Sequence, residues 1–528
     1  MKIWIVGMEC DGLAEAGGVK NVVRSLCEWF ARAGHSVTLF IPVFASSSFR
    51  TVRNIREYAG EASVCVCGRQ EAVRFSTAEF ASSSAKVVFI RHPAFEEKQA
   101  VYVYTEEEER QNPCHRRGCG HTDMLFLDAL LSKAAAAYGR LVAPEDMPDI
   151  VHCHDAAAAV APCYIAAMRP QFFSRTKCVV TIHNAGPAYH HEYRDVSEAS
   201  YYTGLPEGRL RAAVSRGRVE PFLLAAHDAA LTSVSSYYAE ELRNPENDGI
   251  TDGLAGCFFR SGIPIEGITN GIDFSRYDPM NPDISLLPFP MNPEADDDGG
   301  KRRNREFFLS LCRSEPAGVQ GAGTFLDGLS RTGGLASGGS RNAVYFVYQG
   351  RIVRQKGISV LLEAAGRLLS RRDDVRFIIA GQGEPELECA AGQFSERHAG
   401  RAVYFKGYNK ALARLAVASA DFAVLPSNFE PCCLEDFIAQ IYGTIPVAHE
   451  TGGLRKIIDG RTGFLYRPNS AEALEEALQC AAERLLHEQG RLVRMVQDSS
   501  AFVRREYSWD AVIRKKYLTF FENLLQSD

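Results

Sequence analysis

The first half of the chain alternates short apolar runs with helical patterns. The run Lys2–Val6 precedes a glycine and predicts a strand that is buried on both faces. Apolar residues then recur at helical spacing over about Gly17–Ala33, and Gly34 ends this helix before the apolar run Val37–Pro42. Because strand and helix patterns keep alternating, we expect a parallel, doubly wound sheet. Its further strands are predicted at Lys86–Ile90, Asp149–His152, Cys178–Ile182 and Ala229–Ser233.

The same alternation starts again at Val344–Gly350 and continues through four more apolar runs, which predicts a second doubly wound domain. Between the two series, residues 279–341 contain prolines, a run of aspartates, a basic run and many glycines. We interpret this stretch as a linker with a flexible surface insertion. Part of it is expected to be ordered, because Arg305–Cys312 has helical spacing, while the role of the insertion at Ser314–Arg341 stays open.

Length and charge narrow the class of protein. With 528 residues the chain exceeds the size of a single hydrophobic core, so two domains are expected. A net charge of -6 argues against nucleic acid or an anionic membrane as partner. The 15 cysteines are an odd number, and the first residues lack a secretory leader, so we expect a reduced, cytoplasmic protein. No run reaches the roughly 18 apolar residues that span a bilayer.

Two cations follow the first strand of the second domain. Arg351 and Lys356 lie at the predicted start of a helix, where a planar guanidinium and a compact ammonium suit a diphosphate without a metal ion. The alternative is a solvated basic turn, since Arg354 lies in the same stretch.

Glu430 follows another strand of the second domain and comes just before a helix. Its carboxylate can bind sugar hydroxyls or stabilise positive charge at a reacting carbon, or it can merely cap the helix. After the next strand, Thr451, Gly452 and Gly453 form a second turn with main-chain donors. Two such turns side by side favour a cradle for phosphate and sugar.

Polar and small residues also follow strands of the first domain. A loop with Glu15, Gly17 and Gly18 opens the first helix, where main-chain N–H groups can approach a phosphate or sugar, although a structural turn is equally compatible. Asp155 and His183 end two other strands, and polar residues at these ends point to the ligand-binding edge of the sheet. We expect no metal site, because the histidines near residue 153 lack an evident third ligand.

An ordered set of motifs resembles the bacterial glycogen synthase and starch synthase family, which are retaining glucosyltransferases. The matching pieces, in chain order, are AGGVKNVV, VHCHD, TIHN, TNGID, GRIVRQKG, PSNFEPCCL, ETGGL and the closing SWDAVIRKKYLTFFENLL. The resemblance implies the α/β GT-B fold, with two doubly wound Rossmann-like domains facing a central cleft. It assigns residues 1–272 to the acceptor-side domain, 273–342 to the linker and insertion, 343–506 to the nucleotide-sugar domain, and 507–528 to a helix that returns to the first domain.

The resemblance also implies an activity: transfer of glucose from ADP-glucose to the non-reducing end of an α-1,4-glucan or glycogen, with retention and without a cofactor or metal. Arg351 and Lys356 would hold the diphosphate, and Glu430 would lie near the reacting glucose. His183, Asp155 and Asn270 would hold the donor sugar. The remaining expected substrate-binding residues are Glu15, Gly17, Gly18, Asn184, Cys432, Cys433, Leu434, Thr451, Gly452 and Gly453.

Three positions depart from the family pattern. Glu15 stands where the family has lysine and Asn21 where it has aspartate, so the two changes are expected to compensate within one ion pair and to alter donor affinity or nucleotide preference. Cys433 replaces the usual glycine, which is tolerable if its φ is negative. Whether the thiols of Cys432 and Cys433 respond to redox conditions stays open.

Two alternatives remain at this point. One is a glycosyltransferase of the same fold with another acceptor or with UDP-glucose as donor. The other is a catalytically impaired glucan-binding protein, for which Glu15 is the main support. Acceptor length, allosteric regulation and oligomeric state are not determined by the sequence.

Overall fold

The computed structural model describes residues 1–295, 299–313, 321–336 and 343–527. The chain divides into two compact units. The first consists of Met1–Gly271 together with Trp509–Asp528, and the second of Ile272–Ser508. Each unit is an α/β sandwich around its own sheet, so the expected fold class of two doubly wound domains is confirmed.

The first unit alternates strands and helices up to residue 271. Its strands are β1 (Lys2–Val6), β2 (Ser36–Pro42), β3 (Val52–Val66), β4 (Arg69–Phe80), β5 (Lys86–Arg91), β6 (Ile150–His154), β7 (Lys177–Ile182), β8 (Val214–Ser215), β9 (Arg218–Val219), β10 (Ala229–Ser233) and β11 (Ile265–Gly267). Its helices up to this point are α1 (Val19–Arg32), α2 (Pro93–Glu96), α3 (Glu106–Gln111), α4 (Met124–Tyr138), α5 (Asp155–Ala158), α6 (Ala161–Met168), α7 (Val196–Thr203), α8 (Glu207–Arg211), α9 (Pro221–Ala225), α10 (Ser236–Glu241) and α11 (Leu254–Arg260).

The main sheet of this unit has the strand order β11-β10-β7-β6-β1-β2-β5-β4-β3. Its strands pair in parallel, except that β4 is antiparallel to both β3 and β5. From β1 the chain first proceeds to β2 on one side, and later returns to β6 on the other. The order of strands therefore reverses between β1 and β6, and open sheets of this kind bind ligands beyond the carboxyl ends of the strands at such a point.

The second unit contains β12 (Ser330–Leu335), β13 (Val344–Gln349), β14 (Val375–Gly381), β15 (Arg401–Lys406), β16 (Phe422–Leu425), β17 (Ile445–His449) and β18 (Phe464–Tyr466). Their order is β12-β15-β14-β13-β16-β17-β18, parallel except for β12, and it reverses between β13 and β16. Phe346 of β13 stacks on Phe377 and Phe422 in the neighbouring strands, which places an aromatic core under this reversal. The helices are α12 (Pro282–Ser285), α13 (Gly299–Leu311), α14 (Ala322–Leu326), α15 (Ile358–Arg371), α16 (Pro385–Arg397), α17 (Lys410–Ser419), α18 (Glu435–Ile441), α19 (Ala471–His487) and α20 (Gln489–Tyr507).

Within the segment 273–342, helix α13 confirms the order expected at Arg305–Cys312, whereas strand β12 was not expected. Helix α13 packs on α17, and its Phe308 and Leu311 are buried in the core of the second unit. Strand β12 extends the sheet by pairing with β15. These residues are held because their apolar side chains are buried, although glycine and charge dominate the composition around them. Residues 296–298, 314–320 and 337–342 lie outside the described residues, and so do both ends of the predicted insertion Ser314–Arg341.

The last residues of the chain belong to the first unit. They form α21 (Trp509–Val512), a π-helical turn (Ile513–Tyr517) and α22 (Leu518–Gln526). The ring of Phe30 in α1 lies 5.7 Å from the ring of Tyr517 and 5.5 Å from that of Phe521. This aromatic contact anchors the C-terminal segment on helix α1.

Within the described parts of the chain, no helix combines the length and the apolar character needed to cross a membrane.

Candidate active site

The two strand ends at the reversal of the second sheet bring an ammonium and a carboxylate together. Lys356 ends a short turn after β13, and Gly357 follows it with φ +68°, where a Cβ would come within 1.8 Å of the carbonyl oxygen of Pro426. Only glycine allows this close approach of the two loops. The Nζ of Lys356 consequently lies 2.5 Å from Oε2 of Glu430, and the hydroxyl of Ser427 donates to the same oxygen at 3.0 Å.

Two neighbouring carboxylates keep the amine of Lys356 protonated. Burial alone would lower the pKa of this amine, but the carboxylates of Glu430 and Glu435 outweigh burial and raise the pKa instead. Lys356 is therefore a permanent cation at this edge of the sheet. Arg351, the other predicted cation, is exposed, and its guanidinium donates to the Oε1 of Gln355 at 3.3 Å rather than to Glu430.

The predicted cradle residues form two loops in direct contact. The N–H of Gly453 donates to the carbonyl of Glu430 at 2.7 Å. A Cβ on Gly453 would lie 2.3 Å from the carbonyl oxygen of Cys432, so this position requires glycine. Thr451 and Gly452 precede it, and Thr451 accepts the N–H of Leu454 at 3.0 Å. The predicted residues 430–434 and 451–453 therefore lie in two loops that contact each other.

A buried lysine that the sequence analysis missed fastens these two loops. Lys456 donates to the carbonyl oxygens of Cys432 at 2.5 Å, Gly453 at 3.0 Å and Cys433 at 3.3 Å, and it forms an ion pair with Asp436 at 3.0 Å. Its side chain is 1% exposed. Burial lowers its pKa, but the carboxylate of Asp436 outweighs this and the pKa of Lys456 is raised. Because carbonyls of both loops turn toward this cation, the N–H of Cys433, on the same peptide as the carbonyl of Cys432, points away from it.

The condition stated for Cys433 is not met. Its φ is +67°, in the left-handed region that favours glycine, whereas a side chain is readily tolerated only at a negative φ. Its thiol donates to Oε2 of Glu435 at 3.2 Å. Burial, together with the neighbouring carboxylates, raises the pKa of this thiol well above its usual value. Cys433 is therefore a buried, protonated thiol, and such thiols are unreactive.

Because the φ of Cys433 is unfavourable for any residue with a side chain, we expect glycine to be more stabilising than alanine at this position. Replacing alanine by glycine usually destabilises a protein by about 0.5–1 kcal/mol. At position 433 we expect Cys433→Gly to be more stable than Cys433→Ala by about 1 kcal/mol, because only glycine adopts this φ without strain. Thermal unfolding of both variants measures the difference. At the control position Cys389, which is exposed in α16, the alanine variant should be more stable than the glycine variant. A more stable alanine variant at position 433 would contradict the prediction.

A buried carboxylate that we did not predict organises the first glycine loop. Oε2 of Glu9 accepts the N–H of Ala16 at 3.2 Å and of Gly17 at 2.6 Å. The hydroxyl of Tyr102 lies 3.5 Å from its other oxygen. The main-chain donors of Ala16 and Gly17, which we expected to meet a phosphate or sugar, are thus engaged by Glu9. Gly18 caps α1 with an ordinary φ of -79°.

Glu15 forms an ion pair with Lys20. Its Oε2 lies 2.8 Å from Nζ of Lys20, and its Oε1 accepts the N–H of Gly12 at 3.1 Å. The cation that balances Glu15 therefore comes from the first turn of α1.

Asp155 and His183 meet at the reversal of the first sheet. Oδ1 of Asp155 accepts the N–H of His183 at 2.8 Å. Burial, and next the charge of Glu9, raise the pKa of Asp155 to about 7 against the opposing hydrogen bond from His183. Nδ1 of His154 lies 2.9 Å from Nε2 of His183, and burial lowers the pKa of His183 to about 3. The imidazole of His183 is therefore neutral, and the Asp155 carboxyl is able to donate as well as accept.

The two predicted asparagines differ in what they can offer a ligand. Oδ1 of Asn184 accepts the N–H of Gly186 at 2.8 Å, which is a local turn contact. Asn270 is buried, and its main-chain N–H donates to Val234 at 3.1 Å. Among the described residues, no partner lies within hydrogen-bonding distance of its Oδ1. A buried amide oxygen without a partner is available to accept from a hydroxyl group.

One cluster in the first unit has metal-ligand chemistry that the sequence analysis did not single out. His190, Glu192 and Glu220 place one ligand atom each within 4.8 Å of one another. However, Nδ1 of His190 lies 2.7 Å from Glu220 and its Nε2 lies 2.9 Å from the carbonyl of Ala185. Although burial lowers the pKa of His190, Glu220 raises it overall, so an imidazolium that donates on both sides satisfies this geometry without a metal.

Comparison with known families agrees with the two units. Residues 2–257 match the model of the starch synthase catalytic domain, and residues 343–484 match that of glycosyl transferases group 1. A glycogen synthase of Thermodesulfovibrio yellowstonii is 26% identical over 544 aligned residues, covering 99% of this chain and 98% of the relative. Glycogen synthase 1 of Geobacter metallireducens is 26% identical and covers 97% and 93%.

A solved structure shares the whole fold. The catalytic domain of starch synthase IV from Arabidopsis thaliana, bound to ADP and acarbose, superimposes with a TM-score of 0.78 at 23% identity. The match covers 100% of this chain and 99% of that domain. From its two matching domains, its full-length relatives and its GT-B fold, the chain belongs to the glycogen and starch synthase family of glycosyltransferases.

Proposed function

We propose that this protein is a glycogen synthase that transfers glucose from ADP-glucose to the non-reducing end of an α-1,4-glucan, with retention of configuration. The observation that carries the proposal is the contact between Lys356 and Glu430 at the reversal of the second sheet. The full-length relatives named glycogen synthase, and the ADP bound in the related starch synthase, support the same substrates.

The second unit supplies the charges that departure of a nucleotide requires. Breaking the bond between glucose and the diphosphate develops positive charge on the sugar and negative charge on the leaving group. The permanent cation of Lys356, with the exposed guanidinium of Arg351, would neutralise the leaving diphosphate. Glu430, whose carboxylate is 8% exposed, would stabilise the positive sugar carbon once Lys356 turns toward the phosphates.

The first unit supplies groups for hydroxyls. The neutral His183, the Asp155 carboxyl with its pKa near 7 and the unpartnered oxygen of Asn270 can donate or accept hydrogen bonds without bringing a full charge. Glucose offers hydroxyls that both donate and accept. We therefore assign these three residues to the sugar. Glu9 and Glu15 would act indirectly, because their carboxylates accept main-chain N–H groups and so hold the loop that precedes α1.

The remaining assignments follow from the contacts in the second unit. Cys432, Cys433, Leu434, Thr451, Gly452 and Gly453 would form the surface for the phosphates and the sugar, with their loops held by Lys456. Asn184, Gly17 and Gly18 would act by shaping loops, since Asn184 and Gly17 are engaged in contacts within the chain. No step of this proposal requires a metal ion or an organic cofactor.

The function predicts that glycogen grows when the protein is given ADP-glucose. Release of ADP should match the glucose incorporated, because transfer rather than hydrolysis consumes the donor. The new linkages should be digested by β-amylase, which removes units from non-reducing α-1,4 ends. A parallel assay with UDP-glucose measures the donor preference that Glu15 leaves open.

Growth of glycogen with UDP-glucose but not with ADP-glucose would show that UDP-glucose is the donor. If nucleotide is released without glucan growth, another acceptor is indicated. Glycogen binding with neither donor consumed would identify a catalytically impaired glucan-binding protein and contradict the proposal.

A further inference from the structure

A carboxylate of this chain lies among the groups assigned to the donor phosphates. Oε2 of Glu435, the first residue of α18, accepts the N–H of Leu434 at 3.2 Å and the thiol of Cys433 at 3.2 Å. Both donors belong to the loop that follows β16, at the reversal of the second sheet. An oxyanion already occupies hydrogen-bond donors that a phosphate oxygen would use.

This carboxylate is also coupled to the cation of the site. Burial alone would raise the pKa of Glu435, but the ammonium of Lys356 and the hydrogen bonds from Cys433 and Leu434 lower it. In turn, the charge of Glu435 adds to that of Glu430 in raising the pKa of Lys356. Glu435 is therefore charged, and a single ammonium faces two carboxylates.

The local charge balance opposes an incoming diphosphate. Lys356 contributes one positive charge, while Glu430 and Glu435 contribute one negative charge each, so the group is negative before any ligand arrives. A nucleotide diphosphate brings further negative charge to the same cation and to the same two donors, the N–H of Leu434 and the thiol of Cys433. Like charges brought together in a water-poor site repel strongly.

We propose that Glu435 is an internal competitor for the donor diphosphate: its carboxylate fills part of the phosphate surface in the free protein and must be displaced when the donor binds. The proposal rests on the proposed function, because it assumes that a nucleotide sugar binds at this edge of the second sheet. It makes Glu435 a determinant of donor affinity in this chain. Glycosyl transfer itself does not require it.

A purely structural role for Glu435 gives a different expectation. As the first residue of α18, its carboxylate could serve only to satisfy main-chain N–H groups. Removing its charge would then lower stability and leave nucleotide affinity unchanged. Affinity and thermal stability, measured on the same variants, separate the two roles.

The test compares native protein with Glu435→Gln, which keeps the shape and an acceptor oxygen but removes the charge, and with Glu435→Ala. Calorimetric titration with ADP and with ADP-glucose measures affinity. We expect Glu435→Gln to bind both about tenfold more tightly, and the KM for ADP-glucose to fall by a similar factor while kcat changes little. Glu435→Ala should shift affinity in the same direction. Glu396→Gln, a matched change at an exposed position of α16, should bind as the native protein does.

Equal nucleotide affinities in native protein and Glu435→Gln would overturn the competition, whether or not glucose is transferred. Native protein and variants that bind neither ADP nor ADP-glucose would overturn both the competition and the proposed function. Tighter nucleotide binding by Glu435→Gln, with no glucan growth in any form, would support the competition and contradict the proposed function.

Discussion

Lys356→Ala is expected to lower kcat/KM for ADP-glucose by about a thousandfold. The ammonium is buried against Glu430 and held in its charged form, so its removal leaves the diphosphate without its cation and Glu430 without its partner. Preorganised charges of this kind commonly contribute factors of about a hundred to a thousand each. Initial rates of ADP release with glycogen as acceptor measure the effect.

The control lies two residues away. Arg354 is on the same turn with a side chain that is 80% exposed, so Arg354→Ala should retain nearly native activity. Because Lys356 and Glu430 act as a pair, Lys356→Ala combined with Glu430→Gln should lose far less than the product of the two single losses. If Arg354→Ala and Lys356→Ala lower kcat/KM equally, residues 351–356 form a solvated basic turn and Lys356 has no specific role in binding the diphosphate.

Lys456→Met should lower the midpoint of thermal unfolding by about 10 °C. The change leaves the buried carboxylate of Asp436 without its cation and three main-chain carbonyls without their donor. Breaking a buried ion pair from one side typically destabilises by about 3–5 kcal/mol, which corresponds to a shift of this size in a unit of roughly 200 residues. Differential scanning calorimetry measures it.

Two further variants show whether the charge is responsible. Arg461→Met removes an exposed cation from the same unit and should leave the midpoint unchanged. Asp436→Asn introduced together with Lys456→Met should recover part of the loss, because no unpaired charge then remains buried. A midpoint in Lys456→Met within a degree of the native value would contradict the role given to this lysine.

The alternation of apolar runs predicted much of the architecture. Strands such as Lys2–Val6 and the helix after Gly17 are reproduced because buried parallel strands need continuous apolar sequence and their connecting helices need an apolar face. The hairpin of β3 and β4 was missed. Most residues of β3 are exposed, and so its sequence carries little of the apolar signal of the central strands.

The residues of the candidate site were likewise predicted only in part. The predicted strands located four polar residues of the site, since a polar residue directly after a buried apolar run is conspicuous. These residues are Lys356, Glu430, Asp155 and His183. Glu9 and Lys456 were not found, because a buried charge is identified only by its partners, and those partners are main-chain atoms of other loops. The left-handed φ of Cys433 was not predicted, since local sequence does not reveal a left-handed residue that neighbouring loops impose.

The return of residues 509–527 to the first unit has a consequence for synthesis of the chain. Residues 272–508 form the second unit, whereas Tyr517 and Phe521, whose rings pack on Phe30, are synthesised only after that unit. The second unit has its complete sequence earlier and can fold first, although domains usually fold in order from the N-terminus during translation. The first unit is completed only when residues 509–527 have been synthesised, and until then the surface of α1 that contacts Tyr517 and Phe521 is uncovered.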